Sequence, residues 1–368
     1  MLTIDTGPAR GYVLNDGVRV FRSGHEIRFR KGVWSYNEAT LRLDGQAGGI
    51  VRFFEAVYQA LLPGPGARVD PLLLGRQLSV PRDQLEASTA VLESLRQQQF
   101  LRDAGEPGAV QSLRALMGGS LSGFEEYAGA ARPVLFFTDS PYVREVVGTL
   151  ARQIGLPLDL MAEDTLAELA RADLTSRIDA VTHADALAEF ERHFVPYACV
   201  LGTVADPNLS LLRNLNRVLI RAEKPLILGL VDGPFATLLS TLAPSSGCFE
   251  CYEQRMLARL QDTLVYHEFV TATADAPAGG AAFAPTLHML TAGVLAEGFL
   301  YASLNTLRLA GRLVTIYQPL LEIQVQDLLR VPYCPACGFI AKAQMNEMYT
   351  STRRIVQELL DKVEIRES

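Results

Sequence analysis

Cys248-Phe-Glu-Cys251 and Cys334-Pro-Ala-Cys337 hold four of the five cysteines in the chain. Each pair has two residues between its thiols, and 82 residues separate the pairs. Two such knuckles are the donor set of a tetrahedral thiolate site for zinc. A two-residue gap lets a tight turn aim both sulfurs at one ion, and the second knuckle completes the shell. Pro244, Ser245, Ser246 and Gly247 lead into the first knuckle, and Pro332, Pro335 and Gly338 frame the second. These are turn residues, as knuckles need. The spacing predicts one structural zinc per chain on Cys248, Cys251, Cys334 and Cys337. Two disulfides or four free thiols are the alternatives. Four thiolates leave no open position for substrate, so the site is expected to staple two distant segments and do no chemistry.

The chain has 368 residues, enough for two or three domains, and a formal net charge of −7. That charge argues against nucleic acid as a partner, which needs a basic excess. Met1-Leu2-Thr3-Ile4-Asp5 shows no basic region before an apolar core, so no secretory signal is read. The longest uncharged stretch, 276–296, contains Pro277, Pro285 and three glycines. It suits a loop and a buried helix better than a membrane span. The fifth cysteine, Cys199, lies in an apolar run and reads as a core thiol. Thiolate ligands and an odd thiol are expected in a reducing cytoplasm.

Residues 17–36 read as two hairpin-linked strands and a short third one, Val33-Trp34-Ser35-Tyr36. Ile50, Phe53, Phe54, Val57 and Leu61 follow at helical spacing, stopped by Pro63-Gly64-Pro65-Gly66. A short helix near 71–78, a third over 82–98 and a strand at Phe100-Leu101 complete a winged-helix-like α+β domain, 1–103. Its third helix carries Arg82 and Arg96 but also Asp83, Glu86 and Glu93. A groove-reading helix presents a net positive face, so a role away from DNA is preferred and a winged-helix regulator stays as an alternative. Residues 104–132 read as a linker with a short helix. From Pro133 strands and helices alternate, which predicts an α/β domain with a mostly parallel sheet over 133–345. A helix over 350–362 lies in the tail, 346–368.

The first strand–turn–helix of such a domain is where a nucleotide rests its phosphates. Here the turn is Phe137-Thr138-Asp139-Ser140-Pro141-Tyr142, without glycine and with an acid in its middle. Asp139 repels phosphate and suits a helix cap. ATP binding is therefore disfavoured. The five histidines are scattered, with no catalytic or metal spacing among them. No catalytic residue is assigned.

From Asp206 onward the order of residues is distinctive: Asp206-Pro207-Asn208, Arg213-Asn214-Leu215-Asn216, Lys224-Pro225, Gly233, Pro244, then the two knuckles. Over roughly 133–340 this resembles the ubiquitin-activating-enzyme-like (ThiF-like) family. The resemblance implies a Rossmann-like domain with a tetracysteine zinc site. It makes Asp206, Arg213 and Asn216 candidates for a vestigial nucleotide site. The glycine-rich phosphate loop of adenylating members is missing.

A degenerate domain of this kind behind a winged-helix-like one resembles the ThiF-like partner proteins of thiazole/oxazole-modified peptide biosynthesis. That resemblance implies an N-terminal element that grips the leader segment of a ribosomally made precursor peptide. A YcaO-type cyclodehydratase, here expected on a separate polypeptide, performs the ATP-dependent chemistry. The chain is then a non-catalytic, homodimeric partner subunit, with an active adenylating enzyme as the alternative. An extended peptide can add to an exposed strand edge. The residues expected to receive it are Val33, Trp34, Ser35 and Tyr36 on the strand and Arg82, Leu92 and Arg96 on the facing helix.

Overall fold

The computed structural model describes residues 11–64, 66–106, 108–117, 131–175, 180–273 and 283–338. The chain divides into two compact units, 1–123 and 124–368. The tail helix expected over 350–362 lies outside the described residues.

The first unit contains two three-stranded antiparallel sheets. One has the order β5-β1-β6, from β1 (Tyr12–Leu14), β5 (Arg68–Val69) and β6 (Leu101–Asp103). The other is β2 (Val18–Ser23), β3 (Glu26–Lys31) and β4 (Asn37–Arg42), paired in sequence order. Three helices pack with them: α1 (Gly48–Leu61), α2 (Pro71–Gln77) and α3 (Arg82–Gln97). Phe53, Phe54, Val57 and Leu61 recur at helical spacing on α1 and are buried. They meet Ile27 and Phe29, which alternate along β3, and Leu92 and Leu95 of α3. Asp70 starts α2 by accepting from the amides of Leu72 and Leu73. A further helix, α4 (Gly108–Met117), follows β6.

Val33–Tyr36 does not form a strand. It is the turn between β3 and β4, with Gly32 at φ 88°. A Cβ on Gly32 would lie 2.5 Å from the Ser35 carbonyl oxygen, so the turn needs glycine there. The Arg30 guanidinium props the turn, stacking 3.7 Å over the Tyr36 ring and donating to the Val33 carbonyl at 2.8 Å. Among the described residues the edges of this sheet are β2 and β4.

The second unit is built on a seven-stranded sheet, β13-β12-β11-β10-β9-β7-β8. β7 (Val134–Thr138), β8 (Leu158–Leu160), β9 (Val200–Val204) and β10 (Leu226–Asp232) run parallel. β11 (Phe235–Thr241), β12 (Arg312–Tyr317) and β13 (Glu322–Asp327) continue it antiparallel. Every residue of β7 and β9 is buried, because helices cover both faces. Against one face lie α5 (Pro141–Ile154) and α11 (Ala284–Leu304). The other carries α6 (Glu163–Arg171), α7 (Ala180–Phe194) and α8 (Leu209–Arg221). Among the described residues α11 is long and apolar enough to cross a membrane. It lies on the sheet instead, with Leu287, Leu290, Val294 and Phe299 buried. Gly298 lets it approach β9, since a Cβ there would sit 2.6 Å from Leu201.

After the first knuckle the helical stretch is two helices, α9 (Phe249–Leu257) and α10 (Thr263–Thr273). Asp262 breaks it by accepting from the amides of Leu264 and Val265.

Candidate functional site

In the second unit the two knuckles converge. All four thiol sulfurs lie within 4.8 Å of one another, and all four side chains are buried. Cys248 Sγ stands 3.8 Å from Cys251 Sγ and 3.6 Å from Cys334 Sγ, and Cys251 Sγ stands 3.4 Å from Cys337 Sγ. A tetrahedron with zinc–sulfur bonds of about 2.3 Å has edges of about 3.8 Å. A disulfide brings its sulfurs to about 2.05 Å, so the two-disulfide alternative fails on distance. Hydrogen bonding with Cys251 pushes the Cys248 thiol up, and the same bond holds Cys251 down. A divalent cation is what allows all four to be thiolates together.

Local structure aims the sulfurs. Cys248 is the N-cap of α9 and Cys251 lies in its first turn, where the helix dipole favours negative charge. The Val331 amide donates to Cys251 Sγ at 3.3 Å. In the second knuckle the Gly338 amide bonds the Cys334 carbonyl at 2.8 Å, and a Cβ on Gly338 would meet that oxygen at 2.5 Å. Arg330 ties the knuckles together by donating to the carbonyls of Pro244 and Cys337.

Arg213 and Asn216 belong to this centre. Asn216 is buried on α8 and donates to Cys248 Sγ at 3.6 Å and to Glu250 Oε1 at 3.3 Å. Its Oδ1 accepts from the Phe249 amide at 3.0 Å. Arg213 forks onto both oxygens of Glu253, which also accepts from Tyr266 at 2.6 Å. Arg217 forks onto Glu250. Positions 213, 216 and 217 share one face of α8, so a single helix face clamps α9 beside the thiols. The two residues expected in a vestigial nucleotide site, Arg213 and Asn216, are each bonded to α9.

The turn after β7 adds a second correction. Ser140, not Asp139, caps α5, accepting from the Val143 amide. Asp139 instead reaches across to the turn after β9. Its carboxylate accepts from the amides of Ala205 at 2.8 Å and Asp206 at 2.7 Å. The chain passes from β7 out to β8 on one side and then crosses back to β9 on the other, so the carboxyl ends of β7 and β9 are where an open α/β sheet binds ligands. Two backbone donors that could hold an anion there already hold Asp139. Burial pushes this carboxyl above the usual range.

In the first unit no further strand pairs with the outer edge of β4 among the described residues, and between β4 and α3 lies a cleft of about 400 Å³. Leu41 and Leu43, Ile50 and Phe54 of α1, and Ala87 and Val91 of α3 line it. Ser88 also lines it, and its buried hydroxyl has no hydrogen-bond partner among the described residues. Of the residues expected to receive a peptide, Leu92 is fully buried in the core and offers no contact surface. Arg82 is exposed and bonded to Glu86, and Arg96 is bonded to Glu93. Trp34 is 92% exposed in its turn. Sequence reasoning missed Leu41, Val91 and Ser88. Their signal was the helical spacing of Ala87, Ser88 and Val91 beside the alternation of Ala39, Leu41 and Leu43.

No family model matches the sequence, and no curated protein matches it either. Solved structures do. The heterocyclase TruD is similar over 89% of this chain and 43% of its own, at 18% identity and a TM-score of 0.56. A heterocyclase in complex with substrate and cofactor is similar over 89% of this chain and 40% of its own, at 17% identity and a TM-score of 0.57. E. coli MccB with selenomethionine MccA is similar over 89% of this chain and 99% of its own, at 14% identity and a TM-score of 0.45. The chain spans less than half the length of the two heterocyclases, and what it shares with them is the fold.

Proposed function

We propose that this chain is the peptide-recognition and scaffold subunit of a ribosomal-peptide heterocyclase. Its first unit, in a winged-helix-like arrangement, takes the leader segment of a precursor peptide. The second, an activating-enzyme-type Rossmann-like domain with a structural zinc, docks a YcaO-type cyclodehydratase and self-associates, in the cytoplasm. The chain performs no chemistry of its own.

The observation that carries this reading is the cleft beside β4. An extended peptide adds to the open edge through main-chain hydrogen bonds, and its apolar side chains drop toward Leu41, Phe54 and Val91. Each leucine-sized side chain buried there contributes about 1.5–3 kcal/mol. A peptide polar group also relieves the orphaned Ser88 hydroxyl, which costs about 1–3 kcal/mol while unpaired. The edge that receives the peptide is then β4, and the residues expected from Val33 to Tyr36 stand at its approach. Asp139 supports the absence of catalysis, because it holds the donors a nucleotide phosphate needs.

The test is binding of a fluorescein-labelled leader segment from a candidate ribosomal precursor peptide rich in Cys, Ser and Thr. Val91→Arg and Thr40→Pro, which fill the cleft and spoil the edge, should each weaken binding at least tenfold. The chain alone should release no pyrophosphate from ATP. Unchanged binding by both variants removes the cleft from the proposal, and ATP turnover by the purified chain favours the adenylating alternative.

A further inference from the structure

A second cavity, of about 430 Å³, opens at the other end of β4. The two cavities share β4, the first lying beside α3 and the second beside Gln98, the residue that caps the end of α3, and they differ in chemistry. The first is lined by leucine, isoleucine, phenylalanine and valine side chains. The second is lined by the carboxamide residues Asn15, Asn37, Gln98, Gln99 and Gln111 and by charged residues including Lys31.

Register explains how one sheet serves both. Lys31 and Asn37 are cross-strand partners, as are Phe29 with Ala39 and Ile27 with Leu41. Side chains alternate along a strand, so Asn37, Ala39 and Leu41 lie on one face of β4. That face runs from the polar cavity at Asn37 to the apolar cleft at Leu41. The helix shows the same polarity. Val91 borders the apolar cleft and Gln98 the polar cavity. Seven residues of helix separate them by about 10 Å, and four residues of strand separate Leu41 from Asn37 by about 13 Å.

Some polar groups in the second cavity have no partner within the described residues. The Lys31 ammonium is in no ion pair and no hydrogen bond there, and neither is the Asp16 carboxylate. By contrast Asn15 is committed, donating to the Gln99 carbonyl and accepting from the Asp16 amide, and Gln98 and Gln111 donate to Ser94 Oγ and to the Glu106 carbonyl. Lys31 and Asn37 are joined by the turn that carries Trp34, the one tryptophan of the chain.

We infer that the polar cavity is a second subsite for the same peptide, and that it receives an acidic side chain. Resting on the peptide-recognition reading, this adds a spacing rule to it. An apolar side chain occupies the cleft at Leu41 and Val91, and a carboxylate four residues along the extended peptide meets Lys31. Four is an even interval, so both side chains leave the peptide on one face. The Asn37 and Gln99 carboxamides serve as donors and acceptors for the peptide backbone, and Asp16 accepts from a peptide amide.

The experiment uses the full chain and a random twelve-residue peptide library displayed on phage. Enriched peptides should pair an apolar residue with Asp or Glu four positions away. Synthetic copies should shift the emission of Trp34, and copies with that acid changed to Ala should bind at least fivefold more weakly. Lys31→Ala should weaken the parent peptides by a similar factor and leave the Ala copies within twofold. If parent and Ala copies bind alike, or if Lys31→Ala weakens both equally, the second subsite is overturned. The apolar cleft has its own control. Peptides that lose all binding to Val91→Arg while ignoring Lys31 sink this inference alone. Peptides that ignore Val91→Arg, or a selection that enriches none dependent on it, sink the peptide-recognition reading as well.

Discussion

The Asn216 side-chain amide donates to Cys248 Sγ at 3.6 Å, while its own oxygen accepts from the amide of the next residue, Phe249, at 3.0 Å. One buried carboxamide thus fixes both the thiol and the backbone that carries it. Groups that orient metal ligands this way commonly contribute about 10–100-fold in affinity. Asn216→Ala should weaken zinc binding by about that factor, measured by competition with a chromophoric chelator. Asn216→Asp should do worse, because it sets a carboxylate against the thiolates. In the cobalt-substituted protein the sulfur-to-metal charge-transfer band should move to lower energy in Asn216→Ala. An unmoved band with unchanged affinity reduces Asn216 to a helix-packing residue.

Thiol reactivity separates the cysteines into two classes. Burial pushes Cys199 up to about 12, so its thiolate is scarce at pH 8 and its sulfur is inaccessible. The other four are buried and, with zinc bound, shielded by the metal. Titration with an aromatic disulfide reagent at pH 8 should find almost no reactive thiol in the zinc-loaded protein. A chelator should release four, and unfolding the fifth. Rapid reaction of all four in the zinc-loaded protein dismisses the metal centre.

The two parts of the site differ in how readably the sequence writes them. The metal centre is legible because its chemistry is local: two thiols two residues apart in a turn already define half a tetrahedron. The strand expected at Val33–Tyr36 was misread because β-propensity and exposure point opposite ways here. Val33, Trp34 and Tyr36 favour strands, yet Gly32 at φ 88° and the Arg30 prop fold them into a turn. Asn37-Glu-Ala-Thr-Leu-Arg42 looks poor as a strand, and it forms one because β3 lies beside it with a core face to complete. The clamp from α8 to α9 was illegible for a third reason. Asn216 and Cys248 are 32 residues apart, and nothing in either segment names the other.

Asp139 predicts a specific dependence on pH. Burial raises its folded-state value above the ordinary carboxylate value of 3.8 that the unfolded chain retains. Its contribution to stability is therefore fullest below 3.8 and is lost as pH rises through the elevated folded value. Asp139→Ala should be less stable than the parent, having stranded the Ala205 and Asp206 amides. The gap between them should narrow as pH increases through that window. Urea unfolding at a series of pH values measures it, and a gap that widens with pH reverses the sign argued here.

Glu297 sits fully buried on α11 and accepts from the amides of Arg308 and Leu309 at 3.0 and 3.2 Å and from Arg308 Nε at 2.7 Å. These bonds hold the chain that leads from α11 into β12, which sets where the strand before the second knuckle begins. A buried carboxylate is tolerable only with such partners. Removing it leaves two amides without their acceptor and frees a guanidinium that is 38% exposed, a loss of about 1–3 kcal/mol. Glu297→Ala should therefore lower the unfolding midpoint in urea strongly. Glu297→Gln, which keeps the shape and one acceptor, should lose less. Zinc affinity measured on the folded fraction should change little in either variant, since no Glu297 bond reaches a cysteine. A variant that keeps its midpoint but loses zinc would reassign Glu297 from the α11–β12 connection to the metal centre.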